Sequence, residues 1–417
     1  LHDALPISIA YFDFDGMVDV RVISNKERVN SARVRPLSYK ITPDCVGDTV
    51  TFSLSHPRNL SVEVNGDIFH NLHLFANPID KFRPSDKEIK RALKKKKGSN
   101  LIYFGPGVHN LPNDTLFVPS GTTVYIDGGT RVYGNIFTEG AHDVNIFGRG
   151  EVHPDGRGAG VWVRRSKNVR IDGIVVSQLP IGQCDSVELT NVKSISYYGW
   201  GDGMDVFSSS NVILDGVFCR NSDDCTAVYA STQGFKGGSN NVLVKNATLW
   251  ADVAHPINIG GHGDPNGMDT VQNVTFRNID ILDQAEKQID YQGCLTINPG
   301  DNTLVRNITF ENIRIEDFRN GQLVNFRISF NPKYCVSTGR GIHNVLVKDV
   351  TYNGSGENLS IIAGYDENHK ISGIRFVNLV VNGRKITDDM PGKPKWYKTG
   401  DMAGIFIGEH VENISFE

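Results

Sequence analysis

Two hydrophobic periods divide the chain. From residue 9 to about residue 80, apolar and polar residues alternate in short runs: VDVRVIS at 18–24, DTVTFSLS at 48–55 and NLSVEVNGD at 59–67. The turn signals Pro43-Asp44, His56-Pro57 and Asn65-Gly66 separate them. Alternation of period two buries one face of each run, and short strands with frequent turns predict a small β-sandwich over residues 1–84. The segment 85–99 breaks this rhythm. Ser85-Asp86-Lys87-Glu88 has the form of a capping box and predicts a linker helix from 85 to about 97. The basic run KRALKKKKG (90–98) then falls at the helix C-terminus, where the macrodipole favours cations.

From about residue 100 a phrase recurs: an Asn or Gly, an alternating apolar strand, a one-residue break, then a second strand. It reads NVRIDGIVVSQ from 168, NVILDGVFCRN from 211, NVLVKNATLWAD from 241, NVTFRNIDILDQ from 273, NITFENIRIED from 307, NVLVKDVTYNG from 344 and GIRFVNLVVNG from 373. A last fragment, NISFE, starts at 413, and a less regular copy, NVKSISYYG, starts at 191. From 211 onward the steps are 30, 32, 34, 37 and 29 residues. A single phrase cannot bury its apolar positions, but stacked copies share one core. The pattern predicts an all-β chain whose residues 100–417 form a right-handed parallel β-helix. The leading asparagines suit corners, because Asn tolerates the left-handed region and bonds its own backbone. Asn273 and Asn307 also open N-x-S/T sequons, for which the corner role is the preferred reading.

Composition narrows the function classes. Among 417 residues, 43 Lys and Arg stand against 47 Asp and Glu, a net charge of −4. So even a balance supplies no electrostatic reason for a nucleic-acid or anionic-membrane partner. No run approaches 18 apolar residues, so no membrane-spanning helix is expected. The six cysteines form no C-x-x-C pair and read as buried thiols, with no metal site and no cofactor expected. LHDALPIS lacks the basic start and apolar core of a signal peptide. HDALPI at 2–7 matches the translation of a common sequencing adapter. Residues 1–8 are therefore expected to be foreign, from a fragmentary metagenomic assembly, with the native start and any export signal lost. The compartment stays open between secreted, periplasmic and cytoplasmic in a bacterium, and the oligomeric state is open too.

The chemistry concentrates in GWGDGMD (199–205) and NSDDC (221–225). Asp202 precedes Asp223 by 21 residues, about one coil, so Asp202, Asp223 and Asp224 should crowd together on one exterior face. Carboxylates that close split their pKa values, which supplies one proton donor and one ionised base. Adjacent strand residues face opposite ways, so Asp223 and Asp224 share a cleft only where a strand starts or bulges. The next coil carries AHPINIGGHGD (254–264), with His255 and His262. The following ones carry YQGCLTINPGD (291–301), with Gln292, and NFRISFNPKY (325–334), with Arg327. Trp200, Tyr197, Tyr198 and Tyr229 lie near enough to offer sugar platforms, whereas Trp250 reads as packing and Trp396 with Tyr397 as a C-terminal loop.

These marks resemble the polygalacturonase-type inverting glycosidases of glycoside hydrolase family 28, and more distantly the dextranases of family 49. The resemblance covers roughly residues 100–417. It rests on GDGMD against N-T-D-G-x-D, on NSDDC against D-D-C, and on the spacing between them. It implies that Asp223 is the general acid, that Asp202 and Asp224 hold and deprotonate water, and that His255, in His-x-x-x-Ile-Gly order, tunes the acid. Asp205, Trp200, His262, Tyr229, Gln292 and Arg327 are placed in substrate binding. The family's R-I-K motif, which meets a substrate carboxylate, is expected near Leu295-Thr296-Ile297, where no Arg or Lys stands. Arg327-Ile328-Ser329 comes one coil late and lacks the lysine. The expected substrate is a polysaccharide or oligosaccharide, with a neutral, dextran-like α-glucan as one alternative. A polysaccharide lyase and a non-catalytic glycan-binding β-helix are the other readings.

Overall fold

A computed structural model describes residues 7–26, 28–94 and 99–417. The chain forms two compact units, Leu1–Arg83 and Pro84–Glu417.

The first unit holds two sheets. One has four strands in the order Ser8–Phe14, Asp67–Pro78, Arg58–Val64 and Ala32–Arg35; the other has three, Val18–Ile23, Thr49–Leu54 and Asp44–Val46. Alternate residues of both, among them Val20, Phe52 and Leu54 against Val34, Leu60 and Leu74, make one buried core. That is the sandwich the alternating runs predict. Asn65 and Gly66 both have positive φ, 53° and 78°, as a tight hairpin between twisted strands needs. Of the residues expected to be foreign, 1–6 lie outside the described residues, while Ser8 opens a strand and pairs with Leu72.

The second unit opens on a helix, Asp86–Leu93. Ser85 and Glu88 form a reciprocal capping box, with the Ser85 amide donating to Glu88 Oε2 at 2.9 Å. The helix is shorter than the expected 85–97, and the lysines from 95 onward lie outside the described residues.

The rest is the right-handed parallel β-helix, one sheet of 29 strands among the described residues. Its register explains the phrase. Val169, Val187, Val212, Val242, Val274, Ile308, Val345 and Ile374 pair in one column. Two positions on, Ile171, Leu189, Leu214, Val244, Phe276, Phe310, Val347 and Phe376 make a second column, and all are buried. The leading asparagines stand at φ 53–58° and the one-residue break is a second left-handed corner, taken by Gly173, Gly216, Asn246, Asn278, Asn312, Asp349 and Asn378. Their amides stack: Asn278 Nδ2 donates to Asn246 Oδ1 at 2.7 Å, and Asn312 Nδ2 to Asn278 Oδ1 at 3.3 Å. Asn273 and Asn307 belong to the other ladder, where Asn307 Nδ2 donates to Asn273 Oδ1 at 3.2 Å.

One copy is out of phase. NVKSISYYG is not a leading strand: Lys193–Ile195 pairs with Val175–Val176 and Phe218–Asn221, the strands that follow the break. Asn191 is that coil's break, and the leading strand is Asp185–Thr190. Both corners demand a left-handed residue, so an Asn alone cannot distinguish them.

Candidate active site

The acids lie between strands, where the sheets turn a corner. Asp202 belongs to the loop joining Lys193–Ile195 to Val206–Phe207, and Asp223 and Asp224 to the break between Phe218–Asn221 and Thr226–Tyr229. His255 holds the same place one coil on, before Ile257–Ile259. Backbone bonds register the three coils: Gly203 N donates to Asp224 O at 2.8 Å, and Cys225 N to His255 O at 2.9 Å. Because the strand is interrupted at the pair, Asp223 and Asp224 both face one cleft rather than opposite sides. Gly203 makes the approach possible, since a Cβ there would sit 2.2 Å from Cys225 O. Beneath the loop, buried Asn221 donates to Ser194, Ser196 and the Asp202 carbonyl, which fixes the Asp202 backbone.

The cleft has a volume of about 480 Å³ and contains Asp202, Asp205, Asp223, Asp224, His255 and His262 in its lining. Asp202, Asp223 and Asp224 each place an oxygen within 4.8 Å of the others.

Crowding and burial divide the acids. Burial, with the charges of Asp202 and Asp224, pushes Asp223 up to about 8. Burial and the Asp224 charge push Asp202 up to about 7. Asp205 is pushed well above the carboxylate range by burial and then by the other three acids, and its Oδ1 accepts from Ala227 N. Burial acts on Asp224 in the same sense, but His255, Asn258 and Tyr229 together outweigh it and hold Asp224 below the usual range. His255 Nδ1 lies 2.7 Å from Asp224 Oδ1; Tyr229 Oη and Asn258 Nδ2 donate to Oδ2 at 2.7 and 2.8 Å. A fully bonded carboxylate keeps its charge even when buried.

The other expected residues divide. Trp200 lines the cleft, is 69% exposed and sits at φ 56°, which turns it out from the coil. His262 lines the cleft edge-on to Tyr229 and Tyr334, and burial lowers its pKa. Tyr229 lies in the lining too, but its ring stacks on Phe207 and its hydroxyl serves Asp224. Gln292 is a correction. The turn Ile289–Tyr291 carries it inward, where it is fully buried and bonded to Glu286 O, Asn320 and Asn358, away from the cleft lining. Tyr198 is buried, with its hydroxyl on Gly158 O, and Trp250 is packed under Arg220. Leu295-Thr296-Ile297 pairs with Ile257-Asn258-Ile259, and Arg327 stands one coil beyond, after Phe326.

Sequence reasoning missed Asn258, Asn298 and Tyr291 in the lining and Asp290 beside Arg327. Asn258 carried one usable signal, its position three residues after His255 on the strand entering the cleft. The others sit on loops without periodicity. His255 Nε2, Asn258 Oδ1 and Asn298 Oδ1 are buried and have no partner among the described residues, so the cleft presents polar atoms suited to hydroxyl groups. Besides the three aspartates, His262, Asp301 and Cys335 place donor atoms within 4.8 Å of one another. Burial and Asp301 push the Cys335 thiol up to about 12, so it holds its proton.

Comparisons with known proteins bear on the same region. A family model described as "Glycosyl hydrolases family 28" matches residues 159–390. The chain is 24% identical over 295 residues to a "Probable endopolygalacturonase D" of Neosartorya fischeri, covering 60% of this chain and 57% of that protein. It is 27% identical over 219 residues to a "Polygalacturonase" of Juniperus ashei, covering 50% and 39%. The chain thus spans about half the length of the curated relatives it matches. Among solved structures, Dex49A from Penicillium minioluteum aligns with TM-score 0.65 at 14% identity, over 98% of this chain and 83% of that one. The family 28 exopolygalacturonase of Yersinia enterocolitica aligns with TM-score 0.55 at 12% identity, over 88% and 85%. These two share the fold.

Proposed function

The chain belongs to glycosyl hydrolases family 28, and from that premise we propose that it hydrolyses glycosidic bonds of a polysaccharide or oligosaccharide with inversion at the anomeric carbon. One observation carries the reading: Asp202, Asp223 and Asp224 converge on one cleft, while the side chains of His255, Asn258 and Tyr229 bond Asp224. Asp223, pushed up to about 8, keeps a proton at neutral pH and gives it to the leaving oxygen. Asp224, held low by its three donors, stays ionised and takes the proton of the attacking water, which Asp202 helps to hold. The water oxygen bonds to the anomeric carbon as the bond to the leaving oxygen breaks, and the cleaved chain gains one hydroxyl at each new end. His255 acts as a positioning residue, through Asp224.

The absence of Arg or Lys at Leu295-Thr296-Ile297, the strand paired with Ile257-Asn258-Ile259 one coil on, supports a substrate without a carboxylate at the cleaved unit, because an unpaired carboxylate there loses its charge-assisted partner. A neutral α-glucan and a pectic chain are therefore both substrates to test. The alternative for acids converging on one cleft is a retaining mechanism, in which one carboxylate attacks carbon. Proton magnetic resonance of the first product decides between them. Inversion yields the opposite anomer before mutarotation; the same anomer sinks the inverting reading. A reducing-end screen over pectic, dextran-like and other neutral polysaccharides, with Asp223→Asn as blank, tests hydrolysis itself. An unsaturated, ultraviolet-absorbing product would point to a lyase instead.

A further inference from the structure

We propose that Asp290 is a specificity determinant, which by occupying the Arg327 guanidinium reserves the cleft for uncharged sugar rings and turns uronates away. This rests on the hydrolase reading above and names the substrate class of that site.

Arg327 Nη2 lies 2.8 Å from Asp290 Oδ1, and both residues line the cleft. The guanidinium side chain is only 18% exposed, and its Nε is buried without a partner among the described residues. Among the described residues Arg327 is the one Lys or Arg in the lining, which also holds five carboxyl groups: Asp202, Asp205, Asp223, Asp224 and Asp290. Lys333 is a further cation nearby. It is exposed, with its ammonium 5.3 Å and 4.8 Å from the ring centres of Tyr291 and Tyr334, and it bonds Tyr334 rather than joining the lining.

A uronate entering this end of the cleft meets a cation already paired with a carboxylate. To pair with Nη2 of Arg327 it must displace Asp290, whose side chain is 65% exposed, exchanging one charge-assisted pair for another while leaving Asp290 beside the incoming anion. A neutral ring makes no such exchange. The protein's own carboxylate thus already engages the cation that a substrate carboxylate would seek.

The test measures binding of trigalacturonate and its methyl ester, which differ in charge but share ring and linkage, to the full chain by calorimetry. The unaltered chain should favour the ester. Asp290→Asn and Asp290→Ala should each raise the ratio of free-acid to ester affinity on the order of tenfold, about 1.4 kcal/mol. Arg327→Met added to either should abolish the gain. A ratio that stays put in both Asp290 variants, including one in which neither ligand binds, overturns the proposal. Reducing-end release is followed in parallel. If no polysaccharide is cut but the ratio shifts, the hydrolase reading fails and the charge gate stands.

Discussion

Asp223 and Asp224 are neighbours in the chain, yet the cleft treats them oppositely. Asp223 is pushed up to about 8 by burial and by the charges of Asp202 and Asp224. Asp224 is held below the ordinary carboxylate range because His255, Asn258 and Tyr229 bond it. The break between strands turns both side chains into one cleft, and the coil below supplies donors to only one of them.

Removing the proton donor should stop turnover without unfolding the coil. Asp223→Asn is expected to lower kcat by roughly 10²–10⁴-fold. Circular dichroism and the melting temperature should stay at or above those of the unaltered chain, since a crowded buried acid is lost. Full activity in a well-folded Asp223→Asn would remove Asp223 from the acid role.

The pH profile of kcat/KM should be a bell. Its alkaline limb falls where the pair raised to about 7 and about 8 loses protons, and these values belong to the coupled group rather than to single residues. Its acid limb reports Asp224 and should lie below the ordinary carboxylate range. His255→Ala removes a donor to Asp224 and should move the acid limb up by on the order of one pH unit. Tyr229→Phe should move it in the same direction by less. A lowered rate with an unmoved acid limb would leave His255 a merely structural role.

Stability should fall as pH rises from the ordinary carboxylate range to about 8. Asp202 and Asp223 have folded-state values above their unfolded ones, so in that window the folded chain retains protons the unfolded chain has released. Asp224 has the opposite sign: its contribution is present above its unfolded value and lost as pH drops through its lower folded one. Urea denaturation at a series of pH values measures the slope. In Asp223→Asn the decline should flatten, and an unchanged slope would contradict the raised value.

The corner ladders should carry measurable stability. Asn278 sits at φ 57° between Asn246 and Asn312, donating to one and accepting from the other. Asn278→Ala should cost about 1–3 kcal/mol, from left-handed strain and two lost amide bonds. Asn278→Gly, free of the strain, should cost less. Equal losses in chemical denaturation would mean the bonds alone matter.

Trp200 lines the cleft and is largely exposed. As a sugar platform, its replacement by Ala should raise KM roughly three- to tenfold, with kcat little changed. A fall in kcat at constant KM would instead tie it to the reacting centre.

The period-two runs, the repeated phrase and its left-handed asparagines determined the sandwich and the β-helix, because burial parity and backbone preference are local properties that sequence encodes residue by residue. The stacking of Asp202, Asp223, Asp224 and His255 was legible for the same reason, since one coil is a nearly fixed length of chain near these residues. The phase of the copy at 191 was not, because Asn191 suits either corner equally well. Only the tertiary structure decided that Gln292 turns inward, that Tyr229 and Asn258 serve Asp224, and that Asp290 pairs with Arg327. Those outcomes depend on loops of unequal length that carry no period, and on burial and charge acting through space between residues far apart in the chain.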